Sequence, residues 1–266
     1  MSYLCDFGEF DLSFLVNLHL RSGGDEATER SHVREARTAG MRAVLLRQDC
    51  GSTFERAAGM PIGSGRFLAA GTFRPGNIED LNVRAIEAAL AAGAKLVDLS
   101  ACTGYIQPGG ISLPALHAAL DCLREGDVIL ASGELTEENT VGLVKAALEM
   151  GLRRVLVPAA HVHNLTQAGL HTEGVFFEWS LSGLRFPADR VEIAALAGGL
   201  RQAGIAASVI VSGQLTCDKI SPVAALSYYL AALARLGMPV SDLKQMAGRT
   251  PGYLLGQPER AGRKWE

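Results

Sequence analysis

The sequence predicts an α/β protein, a (β/α)8 TIM-like barrel forming one domain over residues 1–266, and three observations carry that expectation. Eight short apolar runs alternate with amphipathic helical stretches along the whole chain. Runs such as Arg42-Ala-Val-Leu-Leu and Arg153-Arg-Val-Leu-Val are nearly continuous in apolar residues, as parallel strands covered on both faces require. The connections are short, and 266 residues, 48% of them hydrophobic, suffice for one large core of this architecture.

In order, the strand-like runs lie at 12–20, 42–47, 67–72, 95–100, 127–132, 153–158, 174–179 and 206–212. Helical periodicity falls between them near 30–39, 53–58, 81–92, 113–125, 136–150, 187–203 and 221–235. The stretch after 158 is the least regular. End signals agree with these positions. Thr136-Glu-Glu-Asn is a cap followed by first-turn acids, Met150-Gly151 closes the same helix, and Ala-Gly at 39–40, 92–93 and 203–204 reads as C-terminal caps. An open doubly wound sheet is the competing architecture, but no GxGxxG follows the first strand, which also removes the nucleotide fingerprint. Gly63-Ser64-Gly65 and Gly109-Gly110 read as ordinary turns.

Charge and cysteine usage narrow the function. A net charge of -3 with scattered Lys and Arg leaves no basic stripe for nucleic acid. The five cysteines, Cys5, Cys50, Cys102, Cys122 and Cys217, form no CxxC, and their odd number suits reduced thiols. The first residues include Asp6 and Glu9 rather than a basic leader, and no apolar run is long enough to span a bilayer. The expectation is a cytoplasmic protein without membrane or nucleic-acid partners, binding a small molecule and assembling as a homo- or hetero-oligomer.

Strands of a βα barrel end at its functional face, so polar residues at those ends are the candidates. They are Asn17, His19 and Arg21; Arg47 and Asp49; Arg74; Asp98 and Ser100; Ser132 and Glu134; Glu178; Ser212 and Gln214. His161 and His163 follow the sixth run at a spacing of two. The cysteines Cys50, Cys102 and Cys217 lie just past strands with no histidine set beside them by sequence, and no G-x-S-x-G elbow occurs. Gly213 to Lys219 forms a polar loop after the eighth run. Phe176, Phe177, Trp179, Leu181 and Leu184 cluster around the seventh run, where core packing accounts for most of them and an interface is the alternative.

These residues resemble, over most of the chain and in the same order, the amidohydrolase-like branch of the metal-dependent hydrolases. The likeness is to a family whose first strand ends Asp-Leu-His-x-His. Gly40-Met-Arg-Ala-Val-Leu-Leu-Arg47-Gln-Asp49 is similar to its Gly-Met-Arg-Gly-Val-Val-Leu-Lys-Ser-His. Phe67 to Ser100, with Glu87-Ala-Ala-Leu-Ala-Ala-Gly-Ala-Lys95-Leu-Val, resembles its third and fourth strands. Ser132-Gly133-Glu134-Leu135-Thr136 parallels Thr-Gly-His-Leu-Ser, and Thr250-Pro-Gly-Tyr-Leu-Leu-Gly256 the Asn-Pro-Ala-x-Leu-Leu-Gly tail.

The resemblance implies that most metal ligands are replaced. Asn17 and Arg21 stand where the first-strand motif has aspartate and histidine, with His19 retained. Arg47 stands for a lysine, Asp49 and Glu134 for histidines, Pro158-Ala159-Ala160 for Thr-His-Pro, and Ser212-Gly213 for the Ser-Asp whose aspartate serves such enzymes as general base. Arginine cannot ligate a metal, but it can supply the lost positive charge by pairing with carboxylates. The expectation is therefore a degenerate barrel without cofactor, either a non-catalytic subunit paired with an active hydrolase paralogue or a small-anion-binding protein. The alternative is a divergent hydrolase of a small amide, ester or lactone. In that case Asp49 or Glu134 is the base, and Arg21, Arg47 and Asn17 bind substrate. One divalent metal, Mn or Zn, on His19, Asp49 and Glu134 is the remaining variant.

Overall fold

The computed structural model describes residues 13, 15–21, 25–48, 51–60, 67–76, 82–100, 114–181, 184, 189–204, 208–211 and 220–257. Eight strands run β1 Val16–Arg21, β2 Ala43–Arg47, β3 Leu68–Phe73, β4 Ala94–Asp98, β5 Ile129–Ala131, β6 Val155–Pro158, β7 Val175–Ser180 and β8 Ser208–Val211. Each falls on an apolar run of the sequence, with ends that differ from the run by no more than four residues. All neighbours are parallel, in the order β1 to β8. β8 returns beside β1, and a π-helical stretch, Gln245–Arg249, packs against both strands. This is the (β/α)8 barrel that the strand count predicted.

The helices are α1 Glu26–Thr38, α2 Phe54–Ala58, α3 Val83–Ala91, α4 Pro114–Glu125, α5 Glu137–Glu149, α6 Val162–Gln167, α7 Arg190–Ala203, α8 Pro222–Arg235, α9 Val240–Lys244 and α10 Thr250–Leu254. The starts of α1, α3, α5, α7 and α8 are fixed by side chains that accept otherwise orphaned backbone N–H groups, those of Asp25, Asn82, Thr136, Asp189 and Ser221. Asp189 and Glu192 form a reciprocal capping box. At the other ends, the predicted caps Gly40, Gly93, Gly151 and Gly204 all take positive φ. Two irregular features escape helical periodicity. A single 3-10 turn, Ala159–His161, precedes the short α6, and the C-terminal region folds as three abutting helical pieces.

Strand residues sort into two faces. Val44, Leu46, Val97, Leu130, Val155, Val157, Val175 and Phe177 pack outward beneath the helices. Val16, Leu18, Ala43, Leu45, Ala70, Leu96, Ile129, Ala131 and Leu156 form a separate interior cluster, joined by Leu254 and Leu255 at the end of α10. Around α10, Gly252 approaches Arg42, and Arg154 stacks 5.1 Å from the centre of the Tyr253 ring while pairing with Asp127. Arg42, Asp127 and Arg154 all precede strands, so the two leucines enter from the N-terminal end of the barrel. The apolar group around β7 is core: Phe177 and Leu181 are fully buried, and Phe176, Trp179 and Leu184 pack half-buried against the clusters. Among the described residues no helix is long and apolar enough to cross a membrane.

Candidate functional site

Strand alternation carries three charged residues to one place. Ala43 and Leu45 face the interior of β2, so Arg47 follows them inward; Leu96 likewise leads to Asp98 on β4, and Phe176 leads to Glu178 on β7. Arg47 and Asp98 end their strands, and Glu178 stands two residues before the end of β7. Arg47 Nη1 donates to Glu178 Oε1 at 2.6 Å, and Nη2 reaches Asp98 Oδ2 at 3.4 Å. The three side chains are 8%, 9% and 5% exposed respectively.

Asp98 is held from its other side. Its Oδ1 accepts from the Ser100 N–H at 2.9 Å and from the Ser100 hydroxyl. Gly133, at φ 58°, closes over the pair: a Cβ there would fall 2.7 Å from Asp98 Oδ1 and 2.4 Å from Ser100 Cβ. Glycine is needed both for the left-handed backbone and for the close approach.

His19 joins through an irregularity in β1. Its register against β2 shifts by one residue between Asn17 and Leu20. Leu18 packs in the interior and Leu20 outside, and the bulge between them lets His19 turn toward the mouth. Asn17, fully buried, braces the bulge by accepting the His19 N–H on Oδ1 at 2.9 Å. His19 Nδ1 then lies 3.4 Å from Glu178 Oε1, a long contact, with 21% of the side chain exposed.

Burial pushes the Glu178 carboxyl up, but the Arg47 guanidinium and the His19 imidazole outweigh it and hold the group at about 2. Burial alone would lower the Arg47 pKa, and the Glu178 and Asp98 carboxylates raise it instead. Arg47 and Glu178 therefore hold each other in their charged forms.

The remaining sequence candidates are placed differently. Glu134 is exposed on the turn between β5 and α5, next to the Gly133 that closes over Asp98. The Arg21 backbone sits in register with Arg47. The Arg21 side chain, Asp49, Ser212, Gln214, Cys50, Cys102 and Cys217 lie outside the described residues. Arg74 Nη1 donates to the Gln48 carbonyl at 3.2 Å, while Arg56 donates to the Gln48 side chain and lies 3.2 Å from Glu29. Of the histidine pair, His163 is exposed and His161 is buried, where desolvation lowers its pKa against a weaker opposing pull from Glu137. The partners of Arg47 were present in the polar strand-end set but not singled out. Counting by two from each interior apolar residue would have found both.

Among the described residues no three His, Cys, Asp or Glu side chains form a group able to hold a metal. The chemistry of the ion cluster agrees: its two carboxylates converge on a guanidinium, and a divalent cation between them would sit against that like charge. The described donor set does not fit the metal centre that the sequence resemblance implies.

No family model matches the sequence, and no curated protein matches it. Solved structures do. A variant of organophosphorus hydrolase from Deinococcus radiodurans superposes with a TM-score of 0.56 at 14% identity, covering 91% of this chain and 93% of that one. The inactive dihydroorotase-like domain of a Chaetomium thermophilum CAD-like multifunctional protein gives 0.63 at 12%, covering 94% and 81%. A putative 2-pyrone-4,6-dicarboxylic acid hydrolase from Pseudomonas putida gives 0.59 at 14%, covering 91% and 96%. At these identities the likeness is one of fold alone, the (β/α)8 barrel that these three chains share with this one.

Proposed function

We propose that this chain is a degenerate hydrolase-like barrel that works without metal, as a non-catalytic subunit or small-anion-binding protein. The observation that carries this reading is the Arg47 guanidinium between Asp98 and Glu178, an internal cation at the strand ends where such barrels do their chemistry. A buried pair of this kind requires both partners, because a lone buried charge is strongly unfavourable. The arrangement also redirects the anion. Arg47 is engaged by two carboxylates, whereas Arg74 meets a neutral carbonyl in its described contacts, so an anion is better placed toward β3. A structural neighbour described as inactive is a precedent for this barrel without activity.

Elemental mass spectrometry of protein purified without chelator tests the reading. We expect Zn, Mn, Fe and Ni far below one per chain; near-stoichiometric metal surviving gel filtration would overturn it. Co-purification tests the subunit role, since a second hydrolase-like chain should elute with this one.

A second reading is a divergent hydrolase of a small amide, ester or lactone, favoured by the partly exposed His19 beside Glu178 and by the exposed Glu134 on the same face. It requires turnover that Glu134→Gln removes without loss of stability. Absence of turnover across such substrates would retire it.

A further inference from the structure

We propose that Glu178 fixes the tautomer of His19, so that the barrel mouth presents the imidazole Nε2 as a hydrogen-bond acceptor to small ligands that carry an N–H or O–H donor. This rests on the metal-free reading of the mouth and names the ligand chemistry at His19, apart from an anion placed toward β3.

His19 Nδ1 is buried, and Glu178 Oε1 lies 3.4 Å from it. A neutral imidazole carries a proton on one nitrogen and a lone pair on the other. A lone pair turned toward a carboxylate is repelled and a proton is attracted, so the Nδ1–H form is the stable one even at this long distance. Nε2, on the opposite edge of the ring, then keeps its lone pair. Arg47, Asp98 and Glu178 are each less than one-tenth exposed, whereas His19 retains 21%, which makes it the member of the cluster that reaches the mouth.

The backbone supports the same orientation. The β1 bulge aims the ring, and the Asn17 side chain holds the bulge. A ligand carboxylate at His19 would face both the Nε2 lone pair and the negative charge of Glu178, so an acceptor-only group is disfavoured there. Amides, ureas and alcohols are the matching class.

The experiment is long-range 1H–15N correlation on the full chain carrying 15N-histidine, chelator-treated, at about pH 8, above the ordinary histidine range. The His19 signal is identified by its loss in His19→Gln. We expect a protonated Nδ1 and a bare Nε2; the reverse pattern overturns the inference. Glu178→Ala should shift the population toward the Nε2–H form, and an unchanged ratio in the folded variant counts against Glu178. If that variant does not fold, the wild-type spectrum still decides.

Formamide, which offers N–H donors, should move the His19 Nε2 resonance, and N,N-dimethylformamide, which offers none, should leave it. Movement with both or with neither overturns the ligand class. Metal found in the untreated protein would overturn the metal-free reading, whereas a reversed tautomer in metal-free protein overturns only this inference.

Discussion

The two ends of the barrel interior hold together on opposite terms. At the N-terminal end, Leu254 and Leu255 join an apolar interior cluster with Val16, Leu18, Leu45, Leu96, Ile129 and Leu156. At the C-terminal end, the same inward positions carry Arg47, Asp98 and Glu178, with His19 above them. Apolar packing stabilises roughly in proportion to the area removed from water, so each residue contributes on its own account. An ionic cluster does not behave this way: its members lose hydration and recover it only from one another. The lower end therefore tolerates change in proportion to volume, while the upper end is all-or-none.

The largest expected effect breaks the upper end. Arg47→Met should lower stability by about 3 to 5 kcal/mol in urea titration, because Asp98 and Glu178 lose their shared cation. A loss under about 1 kcal/mol would show that the carboxylates hydrate and that the cluster is not interdependent. At the lower end, Leu254→Ala should cost about 3 kcal/mol, the usual range for an aliphatic side chain removed from a packed core. His19 resonances should stay unchanged in that variant, and their movement would show that the two ends are coupled.

Acid separates the ends more finely. The Glu178 carboxyl is depressed from 4.5 to about 2 in the folded chain. Its contribution is thus fully present above about pH 4.5 and lost as pH falls toward about 2, up to about 3 kcal/mol. Unfolding free energy measured across that interval should fall in the wild type and in Leu254→Ala alike. Glu178→Gln should flatten the part of the slope due to this group, and an unchanged slope would remove Glu178 as the group responsible.

The smallest effect lies outside both ends. Asp189→Ala removes one half of the capping box at the start of α7 and should cost about 1 kcal/mol. A much larger loss would mean that the cap also organises the mouth, on whose side α7 begins.

Much of the fold was legible in the sequence. Each apolar run became a strand, and Thr136, Gly40, Gly93 and Gly204 cap helices where the sequence placed caps. The short α6 and the helices after α8 were not read from the sequence, although the equally short α2 was. The site was legible as a set of polar strand ends and not as a set of partners. Arg47 was expected to pair with carboxylates; Asp49, one candidate from the resemblance, lies outside the described residues. The pairing observed is with Asp98 and Glu178.

The sequence by itself determined the number and order of strands, the helix boundaries marked by caps, and the alternation that turns Arg47, Asp98 and Glu178 inward. All of these depend on residues a few positions apart. Only the tertiary structure decided that Arg47 meets Asp98 across 51 residues and Glu178 across 131, that a one-residue bulge aims His19 at the same carboxylate, and that Leu254 and Leu255 seal the far end. Alternation along a strand says which face a side chain takes. Which strand ends lie opposite one another is set by closure of the barrel, and there a buried arginine must be satisfied by whichever carboxylates come within reach.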